Sequence, residues 1–172
     1  MLQLRAKQLS DRQVVTLAHS IKKPAKKNRV KIILNDRADL ALAADVDGVH
    51  LGQEDLPVKV ARKILGRNKI IGVSAHNPAQ AKKAQQQGAD YIGVGPIFTT
   101  ATKPKTAAVA TQMISKIQAR VSLPCVAIGG ITLSNLKQVL AAGAQAVAVC
   151  RAITLSGNPA GATRIFRQRL YQ

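Results

Sequence analysis

The chain has 172 residues, and 47% of them are apolar, so one domain over 1–172 can bury a sizeable core and a disordered chain is excluded. No apolar run approaches the ~18 residues of a membrane span, the opening MLQLRAKQLS lacks the apolar stretch of a secretory signal, and two Cys without metal-ligand spacing exclude a disulfide scaffold or zinc module. With 26 Lys and Arg against 8 Asp and Glu, the net charge is +18, a surface that attracts phosphates of any kind. The aromatic residues Phe98, Phe166, Tyr91 and Tyr171 do not interleave with the basic runs. Base stacking therefore has no platform, and the expectation is a cytoplasmic protein with no specific nucleic acid partner, no membrane partner and a defined anion site.

In chain order, short β-branched runs alternate with amphipathic segments. Strands are predicted over 2–5, 30–34, 48–51, 69–74, 91–94, 125–128 and 146–150. Their near-continuous apolar character suits parallel strands covered on both faces by helices. Helices are predicted over 11–21 after the N-cap Ser10, over 57–65 from Pro57, and over 78–87 between Asn77 and Gly88. Two more are predicted over 133–142, stopping at Gly143, and over 159–170. Cys125 and Cys150 fall in apolar strands and read as buried, inert thiols.

Seven βα units suit either an open doubly wound sheet or a TIM barrel. Nearly every strand end carries polar residues: Arg5 and Lys7, Asn35 and Asp36, Gln53 and Asp55, Ser74 and His76, Thr100 to Lys103, and Gly129-Gly130. An open sheet uses one switch point, whereas a closed barrel converges all its strand ends on one mouth, so the expected fold is an α/β TIM (β/α)8-type barrel. Such a barrel has eight strands, so the first βα unit is expected to be missing.

Gln3, Arg5 and Lys7 alternate along a strand and share a face. They form either a donor array for a polyphosphate or an amphipathic edge strand. Six of the eight acids fall between 36 and 55. Asp36 and Asp55, on successive strand ends, either hold a hard cation such as Mg²⁺ through oxygen, or serve as a helix cap (Asp36) and a turn (Glu54-Asp55). Thr100, Thr102 and Lys103 supply hydroxyls and an ammonium after the fifth strand, or belong to a Thr-rich loop. Gly129-Gly130 would let backbone N–H groups approach a phosphate. His50, inside an apolar strand, reads as a hydrogen-bonded structural residue, and His19 as a surface residue.

These motifs in order are Gln3-x-Arg5-x-Lys7, Asn35-Asp36-Arg37-x-Asp39, Gly48-Val49-His50-Leu51-Gly52-Gln53-Glu54-Asp55-Leu56, Gly72-Val73-Ser74-x-His76, Gly88-Ala89-Asp90-Tyr91 through Lys103, and Ala127-Ile128-Gly129-Gly130-Ile131. The series, running from residue 2 to about 153, resembles the thiamine phosphate synthase superfamily, which also contains thiazole tautomerases. The resemblance implies a transferase that joins hydroxymethylpyrimidine diphosphate to a thiazole phosphate, giving thiamine phosphate and diphosphate with Mg²⁺ as cofactor. It implies that Gln3, Arg5 and Lys7 bind the diphosphate, that Asn35 contacts it, and that Asp36 and Asp55 are the Mg²⁺ ligands. Ser74 and Lys103 correspond to residues near the departing diphosphate. Thr100 and Thr102 correspond to residues that hold the thiazole phosphate, with Gly130 as a backbone donor to it. Arg5, Lys7, Ser74 and Lys103 are thus the expected catalytic residues.

The sequence departs from the family pattern in three places. The first strand of the family's barrel is expected to be absent, Arg151 stands where a Ser beside the thiazole phosphate is usual, and Thr99 and 104–106 replace a Pro and a more acidic or polar sequence. The alternatives are a thiazole tautomerase on the same barrel, or a degenerate non-enzymatic anion-binding barrel fragment or fusion domain; a fusion partner domain or a homo-oligomer is the expected macromolecular partner.

Overall fold

The structure, a computed structural model, describes residues 1–101 and 107–171. The chain adopts the expected α/β architecture of parallel βα units on the TIM-barrel pattern, with seven strands among the described residues, each followed by a helix or loop. It divides into two units, one comprising 1–74 with 84–90 and the other 75–83 with 91–172.

In the first unit, β1 (Leu2–Leu4), β2 (Ile32–Asn35), β3 (Gly48–Leu51) and β4 (Ile70–Ala75) lie side by side in that order. All are parallel, with Leu2 opposite Ile32, Ile33 opposite Gly48 and Gly48 opposite Ile70. Ile32, Ile33, Leu34, Val49, Leu51 and Ile71 are at most 2% exposed. Each such side chain contributes roughly 1.5–3 kcal/mol of transfer free energy. The covering helices are α1 (Asp11–Lys27), α2 (Ala38–Ala43) and α3 (Val58–Leu65).

Helix α1 begins in a capping box. The Gln13 N–H donates to Ser10 Oγ at 3.4 Å, and the Ser10 N–H donates to Gln13 Oε1 at 2.9 Å. Asp11 in the first turn and Lys26 and Lys27 in the last complement the helix dipole. The helix runs six residues past the predicted end, through Pro24. Proline cannot bond the Ser20 carbonyl, but Ser20 is exposed to water, and beyond the proline Ala25 is buried. Water can serve the freed Ser20 carbonyl, and burial of Ala25 offsets part of the cost of the missing hydrogen bond.

Two members of the acidic cluster, Asp45 and Asp47, lie by the N-terminal ends of strands. Asp47 accepts the Ile32 N–H at 2.9 Å and pairs with Lys31 at 2.8 Å. Asp90 does the same for the Ile71 N–H at 2.7 Å and is held by Arg62 at 2.6 Å. Arg62 also donates to the Lys69 and Gly88 carbonyls. Asp39 pairs with Arg37, which chelates Asp11 as well, and the Arg37 guanidinium lowers the Asp39 pKa. Asp45 takes Lys69 at 2.7 Å and Lys22 at 3.1 Å, which hold its pKa down to about 2.

A carboxylate with a depressed folded pKa stabilises the fold above its unfolded pKa, roughly 4, and loses that contribution as pH falls through the folded value. The protein should therefore lose thermal stability between about pH 4 and pH 2. Asp45→Asn should flatten that part of the curve, since Asn tolerates the left-handed backbone there (φ 46°). Unfolding midpoints measured against pH for both proteins check this, and identical slopes would exclude Asp45 as a contributor. High salt should shrink the difference, because the carboxylate is exposed.

In the second unit, β5 (Tyr91–Val94), β6 (Cys125–Ile128) and β7 (Val147–Ala148) are parallel, with Ile92 opposite Cys125 and Ala127 opposite Val147. Helices α5 (Gln112–Gln118), α6 (Leu136–Ala141), α7 (Arg151–Thr154) and α8 (Pro159–Leu170) belong to this unit, and α4 (Pro78–Gln86) contributes to both. The Asn77 side chain accepts the Gln80 N–H at 2.9 Å, which makes it the expected N-terminal cap of α4. Gly88 and Gly143, both at positive φ, follow α4 and α6 as expected.

Two expectations for this unit need correction. Helix α6 starts at Leu136 rather than 133, because Asn135 accepts from the Thr132 N–H and donates to the Gly130 carbonyl, holding 132–135 as a turn. Cys150 is exposed rather than buried: β7 has only two residues, and the chain turns at Cys150 into α7. Cys125 is buried as expected, and burial raises its thiol pKa. Among the described residues no helix is long and apolar enough to cross a membrane.

Candidate active site

Strand register alone brings four polar residues of the first unit onto one face. Gln3 lies opposite Ile33, and Asn35 is two residues further along the same strand. Asn35 lies opposite His50, His50 opposite Gly72, and Ser74 is two residues beyond. Side chains alternate with period two, so Gln3, Asn35, His50 and Ser74 share a face near the C-terminal strand ends. The contacts agree with this. Gln3 Nε2 donates to Asn35 Oδ1 at 3.3 Å, and His50 Nε2 lies 2.9 Å from Ser74 Oγ.

Just past the strands, the charged residues gather. Lys7 Nζ meets Asp36 Oδ2 at 3.1 Å, with the Asp36 side chain 20% exposed and Lys7 58%. Asp36 is turned into place by a left-handed backbone (φ 65°), which Asp tolerates, and its N–H donates to the His50 carbonyl at 2.8 Å. Asp55 folds back over the end of β3 and accepts the Gly52 N–H at 2.5 Å. The two carboxylates therefore stand on neighbouring strand ends. Arg5 is exposed just after β1. A cavity of about 130 Å³ lies beside the ion pair, lined in part by Leu4, Lys7, Asn35, Asp36 and Arg37.

This unit thus unites Gln3, Lys7, Asn35 and Asp36 by direct contact, with Asp55 and Ser74 anchored on the strands beside them. Ser74 is anchored by His50, the hydrogen-bonded histidine expected within β3, and by Gln53, which the sequence reading gives no role. Besides His50, Gln53 Nε2 donates to the Ser74 carbonyl at 2.5 Å. The expectation for His50 holds because an imidazole inside an apolar strand needs a polar partner; what the sequence did not show is that the partner is Ser74.

In the second unit, the loop after β5 packs against the glycine pair after β6. The Ile97 N–H donates to the Ile128 carbonyl at 2.9 Å, and the Phe98 N–H donates to the Gly129 carbonyl at 3.1 Å. Gly130 has φ 64°, and a Cβ there would lie 2.7 Å from the Thr99 carbonyl oxygen and 2.8 Å from Phe98 Cβ, so glycine is required for this approach. Gly130 is thereby set beside the stretch that leads to Thr100, which is half-buried. Thr102 and Lys103 lie outside the described residues. Arg151 is exposed at the first position of α7. His76 is held by a ring-nitrogen hydrogen bond to the Gly95 carbonyl.

Among the described residues no group of three or more His, Cys, Asp and Glu side chains forms a metal cage. The donor chemistry of Asp36 and Asp55 nevertheless fits Mg²⁺, which is typically bound by one or two carboxylates together with substrate phosphates.

Comparison with known proteins agrees with these features. The family profile for thiamine monophosphate synthase matches residues 1–153. A thiamine-phosphate synthase of Coprothermobacter proteolyticus is 48% identical over 167 residues, covering 97% of this chain and 79% of that one. One from Halalkalibacterium halodurans is 45% identical over 172 residues, covering 99% and 82%. Among solved structures, thiamine phosphate pyrophosphorylase from Pyrococcus furiosus superposes with a TM-score of 0.90 at 34% identity, covering 98% of this chain and 81% of that one. The agreement of profile, sequence relatives and fold places the chain in the thiamine monophosphate synthase family.

Proposed function

We infer that the chain makes thiamine phosphate from hydroxymethylpyrimidine diphosphate and a thiazole phosphate, releasing diphosphate. The observation that carries this reading is the ion pair of Lys7 and Asp36 beside the Gln3–Asn35 contact, with Asp55 on the adjacent strand end. That set suits a diphosphate. Lys7 and Arg5 supply positive charge, and Gln3 and Asn35 carry amide donors.

The substrate's benzylic-type carbon releases diphosphate as its C–O bond breaks, and the thiazole nitrogen forms the new C–N bond. No protein nucleophile is needed. The work left to the protein is to hold the leaving group and neutralise the charge that builds on it, which Arg5, Lys7, Ser74 and Lys103 perform. Asp36 and Asp55 would hold Mg²⁺, which when bound supplies further charge neutralisation to the diphosphate oxygens. Without substrate, Lys7 neutralises Asp36; with diphosphate present, the same ammonium turns to a phosphate oxygen. Thr100, Thr102, Gly130 and Arg151 are assigned to the thiazole phosphate.

The acids and cations on the diphosphate side favour this transferase reading over a thiazole tautomerase, which would not require them. Incubation with both substrates and Mg²⁺ should yield thiamine phosphate. A thiazole isomer that interconverts without pyrimidine diphosphate, with no thiamine phosphate formed, would establish the tautomerase instead. Salt-sensitive binding of any polyanion without product would reduce the chain to an anion binder. Arg151→Ser should raise the KM for thiazole phosphate about three- to tenfold through loss of a charge-assisted contact, with kcat little changed. An unaltered KM would place Arg151 outside the site.

A further inference from the structure

We propose that His50 is a positioning residue that sets the direction of the Ser74 hydroxyl, so that Ser74 donates its proton to the anionic substrate. This rests on the assignment of Ser74 to the departing diphosphate. The His50 imidazole is buried, at 6% exposure. Every residue of β3 is buried, and an imidazole there costs stability unless it is hydrogen-bonded. Its Nε2 lies 2.9 Å from Ser74 Oγ, so a partner of the histidine is a residue of the candidate site. Ser74 is fixed at a second point, because Gln53 Nε2 holds its carbonyl. Its hydroxyl can therefore turn, but the residue cannot drift.

The polarity of the contact follows from what each group has to offer. A serine hydroxyl carries one proton and two lone pairs. If His50 Nε2 were the acceptor, that proton would be spent on the imidazole. Ser74 would then present only lone pairs to the substrate, which repel a diphosphate. If the proton resides on Nε2, His50 donates to Ser74 Oγ and the hydroxyl proton is left for a phosphate oxygen. A neutral imidazole with its proton on Nε2 meets both demands, since it needs no charge in the core and gives Ser74 the polarity an anion selects. The same strand carries the consequence to the metal-side carboxylate, because the His50 carbonyl accepts the Asp36 N–H.

The test is a double-mutant cycle on thiamine phosphate formation, with thermal unfolding of each variant. His50→Gln places an amide N–H where Nε2–H stood and should keep kcat within about threefold. His50→Leu lacks the donor and should lower kcat about tenfold or more, with the KM for thiazole phosphate unchanged. In a Ser74→Ala background, His50→Leu should cause no further loss. If the loss from His50→Leu is undiminished in that background, or if folded His50→Leu keeps full kcat, the proposal is overturned. If Ser74→Ala alone leaves kcat intact, the assignment of Ser74 fails first and the proposal falls with it. Should His50→Leu not fold, His50→Met gives the same comparison with a more adaptable side chain.

Discussion

Asp36→Asn is expected to lower kcat about 10²–10³-fold, while the KM for thiazole phosphate stays within about twofold. The substitution keeps the shape of the side chain and removes its charge. Asn adopts the left-handed backbone at this position (φ 65°) as readily as Asp, so the turn after β2 survives. The pair with Lys7 is lost, but Lys7 is largely exposed, and such pairs contribute about 0–1 kcal/mol. Folding should therefore be almost untouched. What is removed is a carboxylate needed only where charge accumulates on the leaving diphosphate, and interactions felt mainly in the transition state appear in kcat. Steady-state kinetics with each substrate varied in turn separate the cases. An equal loss in both parameters, or none in kcat, would remove Asp36 from its assigned role.

Gly48→Ala is expected to lower the unfolding midpoint by about 10 °C or more, or to abolish soluble protein, through a loss of about 4 kcal/mol. A Cβ at Gly48 would lie 2.0 Å from the Ile70 carbonyl oxygen and 2.7 Å from its carbon. These are backbone atoms of the neighbouring strand, paired in register with Gly48 and held by the Ile70 N–H bond to the Asp47 carbonyl at 2.9 Å. Relief requires β3 and β4 to separate, and β3 carries His50 while β4 carries Ser74. Activity should fall together with stability. Gly157→Ala is the control, since a Cβ there meets nothing within 4 Å, and its melting curve should match that of the parent. A Gly48→Ala protein that melts normally would show that the β3–β4 spacing is not as tight as drawn.

Particular elements show why some features were legible beforehand. The strands 48–51, 91–94 and 125–128 match their predicted bounds because each is a short, mostly apolar run with turn or polar residues on either side. Helices α2 and α5, of six and seven residues, escaped notice because two turns give too little periodicity to read. Helix α1 was cut short because Pro24 is tolerated in an exposed last turn, which only burial of Ala25 reveals. Cys150 is exposed although the sequence around it is apolar, because apolar character does not tell where a strand stops pairing.

The candidate site divides in the same way. The alternation of Gln3, Arg5 and Lys7 is visible along the chain, but the acids between 36 and 55 are not distinguishable by spacing. Packing sends Asp45 and Asp47 to the N-terminal strand ends, where Lys69, Lys22 and Lys31 neutralise them, and leaves Asp36 and Asp55 at the opposite ends.

Amino-acid order by itself determined the alternation of strand and helix and the polar character of the strand ends, because side-chain period and turn chemistry act over a few neighbouring residues. The tertiary structure alone decided which carboxylates are structural and that His50 bonds Ser74 across 24 positions. Those outcomes depend on strand register and long-range burial, and no local pattern encodes either.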